Sequence, residues 1–217
     1  MRARRCGRSG DFAFTLVELL VVISIIAVLA GLAFPAISGA IERTRKVQAK
    51  NDLVQSVTAV NAYYTEYGKY PLPGAATTTP DDYWITDGLI ANLFNVLRAS
   101  GLGWDSSTGE NLNPRRVVFI QVPFAKNAAR PLNGICPTGS NAGKYYDPWG
   151  NTYRLRIDWD YDNRLVNPYS AGAGGNPISL GSIAYSIGKD QASDADRNTG
   201  QYRTSGQNGN DDVLSWQ

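Results

Sequence analysis

The chain has 217 residues, enough for one ordinary domain with a real core plus an appended segment, and too few for a typical two-domain enzyme. Charged residues make up 18% and the formal net charge is +2, and the basic residues beyond the amino-terminal arginines are interspersed with acids, which argues against a nucleic-acid partner. Histidine is absent, which removes histidine triads, general bases and metal ligands together, and Cys6 and Cys136 are the only cysteines.

Arg2, Arg4, Arg5 and Arg8, against the single acid Asp11, precede Phe14. From Leu19 to Ile41 no residue is charged, and LLVVISIIAVLAGLAFPAISGAI is long enough to cross about 30 Å of hydrocarbon as a helix. A cleaved secretory signal has a shorter apolar core, about 7–15 residues, with a small-residue site behind it, whereas Gly39-Ala40 leads into more helix. The preceding arginines place residues 1–13 in the cytoplasm and the chain after Ile41 outside it. Glu18 is the one acid in the apolar run 14–41, so it requires either a partner or a seat at the headgroup edge. Pro35 removes one helix hydrogen bond and is expected to kink the span.

The string Ala13-Phe14-Thr15-Leu16-Val17-Glu18-Leu19-Leu20-Val21-Val22-Ile23 resembles the processing site of type IV prepilins and type II secretion pseudopilins. The resemblance implies that a prepilin peptidase cuts between Ala13 and Phe14 and methylates the new Phe14 amine. It also implies that Glu18 pairs with the Phe14 amine of a neighbouring subunit as a filament grows from the inner membrane. The family's usual residue before the cut is glycine; Ala13 stands there instead and is also small. Cutting after Gly10 would put Asp11 at the new terminus and shift Glu18 out of register. Removing the leader would leave Cys136 as the one cysteine, with no intramolecular disulfide.

Beyond the span, Glu42-Arg43-Thr44-Arg45-Lys46 reads as a water-interface cluster. Leu53, Val57, Val60 and Tyr64 then form the stripe of an amphipathic helix that Gly68 and Pro71 terminate, so residues 42–70 continue the helix outside the membrane. Residues 71–80 read as a loop, 87–100 as a short helix stopped by Gly101 and Gly103, and Val117–Val122 as a strand or buried extended segment between Pro114 and Pro123.

Asp147-Pro148-Trp149-Gly150-Asn151 is a turn signal. After it, Tyr153, Leu155, Ile157, Trp159 and Tyr161 alternate with Arg154, Arg156, Asp158, Asp160 and Asp162, which predicts a strand with a solvated charged face. The three aspartates lack the glycine and glutamate that an EF-hand places at its sixth and twelfth positions, where Asn163 and Tyr169 stand. Gly181–Ile187 is a second strand, Gly188 breaks it, and residues from Lys189 on read as polar loop. The predicted class is α+β: a long amino-terminal helix, membrane-spanning in its first half, packed on a small antiparallel sheet in a head of residues 71–217 with a carboxy-terminal loop. The tryptophans are expected as core and turn anchors.

Tyr70-Pro71, Asp147-Pro148-Trp149-Gly150-Asn151-x-Tyr153, Ser186-Ile187-Gly188-Lys189-Asp190 and Asn210-Asp211-Asp212-Val213-Leu214-Ser215-Trp216 follow in an order similar to that of the major pseudopilin of type II secretion systems. That resemblance implies a calcium ion in the carboxy-terminal loop, held by Asp190, Asp211 and the Ile187 carbonyl, with Asp212 beside them and Asp194 or Asp196 able to supplement the set. The implied function is structural and not enzymatic: a homo-oligomeric filament subunit working with minor pseudopilins, an inner-membrane secretion platform and membrane lipid, its head in the periplasm or outside the cell. A surface pilin for adhesion or motility is the alternative. A membrane-anchored carboxylate glycosidase, or a carbohydrate-binding module using Trp84 or Trp104, stays open without a specific motif.

Overall fold

The computed structural model describes residues 14–72, 83–85, 87–103, 109–169, 172–191 and 211–217. Its elements are α1 (Leu16–Tyr67), β1 (Tyr83–Ile85), α2 (Asp87–Leu97), β2 (Gly134–Ile135), β3 (Tyr145–Tyr146), β4 (Arg154–Ile157), β5 (Ser182–Ser186) and β6 (Val213–Leu214). The chain divides into two compact units, Met1–Arg43 and Thr44–Gln217.

In the first unit the described chain from Leu16 on is α1, and its most apolar window has a mean hydropathy of 2.8 with none of it buried. Length and composition suit it to crossing a membrane. Its serines are satisfied within the helix: the Ser24 hydroxyl donates to the Val21 carbonyl at 2.7 Å and the Ser38 hydroxyl to Phe34 at 3.1 Å. α1 runs on through the position of Pro35.

In the second unit Ala49, Leu53, Ser56, Val60 and Tyr63 form the buried face of α1. The expected stripe is therefore corrected at its end: Tyr63 is buried and Tyr64 is 39% exposed. The reason is a specific partner, since the Tyr63 hydroxyl donates to the buried Leu112 carbonyl at 2.5 Å and its ring packs on Tyr67 and Phe119. Gly68, at φ 66, donates its N–H to the Tyr64 carbonyl at 2.8 Å and ends the helix in the left-handed conformation that glycine adopts without penalty.

The main sheet is antiparallel throughout, in the order β1-β4-β5-β6, and β2 and β3 form a separate ribbon. Leu155, Ile157 and Ala184 join the core cluster that contains the buried face of α1. Polar ties reinforce this packing: Tyr153 donates to Asp52 at 2.8 Å, Ser182 to Asn61 at 3.2 Å, and Lys50 Nζ to the carbonyl oxygens of Leu214 at 2.6 Å and Ser215 at 3.2 Å, and also to Gln217.

The opposite face of the sheet is covered as well. Ile183 packs with Leu165 and Ile178, and Tyr185 with Tyr169, Ala173 and Leu214. The expected solvated charged face therefore does not form. Arg154 lies over the Tyr185 ring, and Arg156, 7% exposed, donates to the Val166 carbonyl at 3.1 Å. The strand also stops at Ile157, because Asp158 turns inward and captures two backbone amides, described below.

Other expectations shift in detail. α2 ends at Leu97, with Ala99 left-handed at φ 53, rather than running to Ser100. Val117–Val122 joins no strand; Phe119 and Ile120 both donate their N–H groups to the Leu97 carbonyl, at 2.9 and 3.3 Å, so the segment covers the end of α2. Residues 211–217, expected as polar loop, contribute β6 and a carboxy-terminal turn. Trp149, Trp159 and Trp216 are partly buried against the core clusters, in line with an anchoring role.

Candidate functional site

The amino-terminal tip of α1 is built by Phe14, Thr15 and Glu18. Thr15 precedes the first helical residue, and its hydroxyl accepts the Glu18 N–H at 3.2 Å while donating to Glu18 Oε2 at 2.7 Å. The Thr15 N–H donates to the same Oε2 at 2.9 Å. This is a capping box, in which residues three apart satisfy each other's open backbone donors. The Thr15-x-x-Glu18 spacing carries that signal in the sequence, and reading Glu18 only as an unpartnered charge overlooks it. Two donors converge on one carboxylate oxygen; among the described residues Glu18 Oε1 accepts no hydrogen bond. Phe14, 74% exposed, sits directly before the cap. Ala13, the predicted residue before the cut, lies outside the described residues.

The second site gathers three of the sequence motifs around Asp147. This residue is fully buried, and its Oδ1 accepts the N–H groups of Trp149, Gly150 and Asn151 at 2.9, 2.7 and 2.8 Å. Its Oδ2 accepts the Ser186 hydroxyl at 2.6 Å and the Asn151 amide at 3.2 Å. Burial pushes the Asp147 carboxyl above its ordinary value, against those donors, which favour the anion. Asn151 also donates to the Gly188 carbonyl at 2.6 Å, which fastens the 147–151 turn to the one that follows β5.

That second turn meets residue 211. The Asp190 N–H donates to Asp211 Oδ2 at 2.7 Å. Gly188, at φ 68, lies so close that an added Cβ would stand 2.4 Å from the Asp211 carbonyl oxygen and 2.7 Å from its carboxylate carbon. Asp190 and Asp211 are thus in contact across the two turns, through a backbone N–H and a carboxylate oxygen. Asp212 is used differently: it is 4% exposed and its Oδ2 accepts the Tyr169 hydroxyl at 2.7 Å. Asp194 and Asp196 lie outside the described residues, as do Trp104 and the Trp84 side chain.

Asp158, Asp160 and Asp162 place carboxylate oxygens within 4.8 Å of one another. Asp158 is 2% exposed; it accepts the Tyr161 N–H at 2.9 Å and the Asn163 N–H at 2.8 Å, one on each oxygen, and Asp162 accepts the Arg164 N–H at 2.8 Å. Burial, and then the Asp160 carboxyl beside it, push Asp158 up from its ordinary value. The aspartates thus build a turn, a role that the alternating pattern does not announce.

Comparison with known proteins agrees with the amino-terminal geometry. The family described as "Prokaryotic N-terminal methylation motif" matches residues 8–34. Fimbrial protein EcpC of Eikenella corrodens is 40% identical over 63 residues, 29% of this chain and 41% of that protein. Fimbrial protein Q of Moraxella bovis is 40% identical over 74 residues, covering 34% and 46%. The type IV major alpha-pilin of Moraxella bovis is 38% identical over 66 residues, covering 30% and 41%. The chain spans less than half the length of these curated relatives, and no solved structure matches it. A methylation motif that ends in a capped apolar helix, together with the likeness to fimbrial and type IV pilin proteins, makes the amino-terminal segment of this chain type IV prepilin-like.

Proposed function

We propose that the chain is cut between Ala13 and Phe14, methylated on the Phe14 amine, and assembled as the structural subunit of a type II secretion pseudopilus whose growth drives protein export. The observation that carries the reading is the placement of Phe14 directly before the Thr15–Glu18 cap, at the tip of a membrane-length helix and within the matched motif. In this reading prepilin peptidase processes the chain from the cytoplasmic side of the inner membrane. The head lies in the periplasm, beside minor pseudopilins and the secretion platform, and the apolar half of α1 sits first in lipid and then among neighbouring helices.

The fimbrial names of the relatives favour a second reading, a surface pilin. Many surface pilins close a carboxy-terminal loop with a disulfide, and the processed chain has only Cys136, which is buried and free. That supports the pseudopilus. Amino-terminal mass spectrometry of the membrane-extracted protein, combined with sedimentation, tests the proposal. A methylated Phe14 terminus on sedimenting filaments is expected; a different terminus on a soluble monomer overturns it.

A calcium ion held by the Ile187 carbonyl, Asp190 and Asp211 would order the turn that joins β5 to the carboxy-terminal segment. The unfolding temperature is then expected to rise with added calcium and to fall with a chelator. An unchanged temperature across both conditions sinks the metal assignment.

A further inference from the structure

Residues 64 and 66 lie about 200° apart around a helix, so the last turn of α1 presents them to opposite sides, and each meets a different loop. The Tyr64 ring packs with Tyr70 at 4.7 Å and Tyr161 at 6.0 Å between centroids, and Tyr70 stacks on Tyr161 at 5.5 Å. Glu66 pairs instead with Arg115, whose N–H donates to the Tyr67 hydroxyl at 3.3 Å. One loop is aromatic and acidic and the other is basic.

Both loops are held in shape by a buried polar side chain. Asp158 fixes the first through its two backbone hydrogen bonds, holding Tyr161 at φ 64 and Asn163 at φ 63. Tyr161 is left 48% exposed between the exposed carboxylates of Asp160 and Asp162. Asn113, 4% exposed, fixes the second: its amide donates to the carbonyls of Val96 and Val117, both at 2.8 Å, and its oxygen accepts the Val117 N–H at 3.0 Å and the Tyr67 hydroxyl at 2.7 Å. Arg116, which donates its own N–H to the Asn113 carbonyl at 3.1 Å, is left-handed at φ 53 and exposed. Among the described residues its guanidinium has no partner, whereas Arg115 is held by Glu66.

We propose that the Tyr161 face, with Asp160 and Asp162 at its rim, receives the Arg116 loop of a second copy of this chain. A guanidinium stacks on an aromatic ring and pairs with carboxylates, so one arginine meets both parts of the surface. Neither loop has to be ordered on contact, which lowers the cost of docking. The two surfaces are different patches flanking the same helix end, so the contact is heterologous, and its repetition yields an open helical array rather than a closed dimer. This deepens the filament reading and rests on it.

Charge exchange on the full-length processed chain tests the contact, with sedimentable filament as the readout. Asp160→Arg with Asp162→Arg, and separately Arg116→Glu, are each expected to lower filament yield at least about tenfold, a cost of about 1.4 kcal/mol per contact. All three changes in one chain are expected to restore filaments, because every copy then carries both exchanged surfaces. Asp160→Asn with Asp162→Asn, which keeps the oxygen that binds the Arg164 N–H, is expected to give a smaller loss. Unfolding temperatures monitor each head, and the Asn pair serves if the Arg pair fails to fold. Single exchanges that sediment like the parent, or a triple exchange that folds but restores nothing, overturn the contact. A parent chain that forms no filaments overturns the reading on which it rests.

Discussion

Glu18→Gln is expected to abolish filament growth while the chain still inserts into the membrane, loses its leader and folds its head. Glutamine preserves the capping box, since its side-chain oxygen can accept the Thr15 N–H and hydroxyl as the carboxylate does. It removes only the charge. An incoming subunit that brings a cationic Phe14 amine into hydrocarbon would then meet no anion, and an ion left unpaired there is strongly disfavoured. Thr15→Val is the complementary change: it deletes the hydroxyl of the cap and keeps the carboxylate. If charge pairing governs assembly, Thr15→Val filaments persist at reduced yield and Glu18→Gln filaments fall to background, as measured by sedimentation and immunoblotting of the sheared fraction. The opposite ranking would make helix capping, not ion pairing, the role of Glu18.

Asp147→Ala is expected to destabilise the head by about 3–5 kcal/mol, because each buried donor left without an acceptor costs on the order of 1–3 kcal/mol. The alanine would strand the amides of Trp149 and Asn151 and the hydroxyl of Ser186, while the Gly150 amide keeps the main-chain carbonyl of residue 147 at 3.2 Å. For a unit of this size that corresponds to a fall of about 10 °C or more in unfolding temperature. Asp147→Asn keeps one acceptor oxygen for the three amides but turns an NH2 group toward Ser186 and Asn151, so it is expected to fall between the parent and alanine. Near-ultraviolet circular dichroism against temperature, on the detergent-solubilised chain, reads the head rather than the long helix. A loss below about 1 kcal/mol for alanine would show that water reaches these donors.

The elements that could be read in advance are those whose physics is local. The apolar run from Leu19 to Ile41 and the spacing of Leu53 and Val60 specify a helix without reference to anything else, and Gly68 stops it through its own backbone freedom. The exchange of Tyr64 for Tyr63 on the buried face was not legible, because it depends on the Leu112 carbonyl, which is 49 residues away. The end of β4 was hidden for a related reason. Alternation predicts that Asp158 faces water, while in the fold its carboxylate is the cap of a turn. β1, β2, β3 and β6 have two or three residues each, too short for any periodicity to reveal them.

For the sites, motif order showed which segments matter but not how they meet. Asp147 could be read as a turn former, and its bond to Ser186 is made only when two strands bring the turns together. Asp211 and Asp212 are adjacent and chemically identical in the sequence, yet one faces the Gly188 turn and the other Tyr169. Thr15 was legible in principle, since its spacing from Glu18 is the sequence signature of a cap.

The hold of Lys50 on the carbonyl oxygens of residues 214 and 215 joins positions 164 and 165 apart. Contacts of such separation form late, because the entropy of closing the intervening loop is lost before the contact returns any stability. Until they form, β5 has an open edge on the side where β6 will pair, and an unpaired strand edge is a template for pairing with another chain. Newly made copies anchored side by side in one membrane meet at high local concentration, the condition under which such mispairing is fastest. The ammonium of Lys50 therefore bears on how cleanly the head folds in a crowd as well as on how firmly it stays folded.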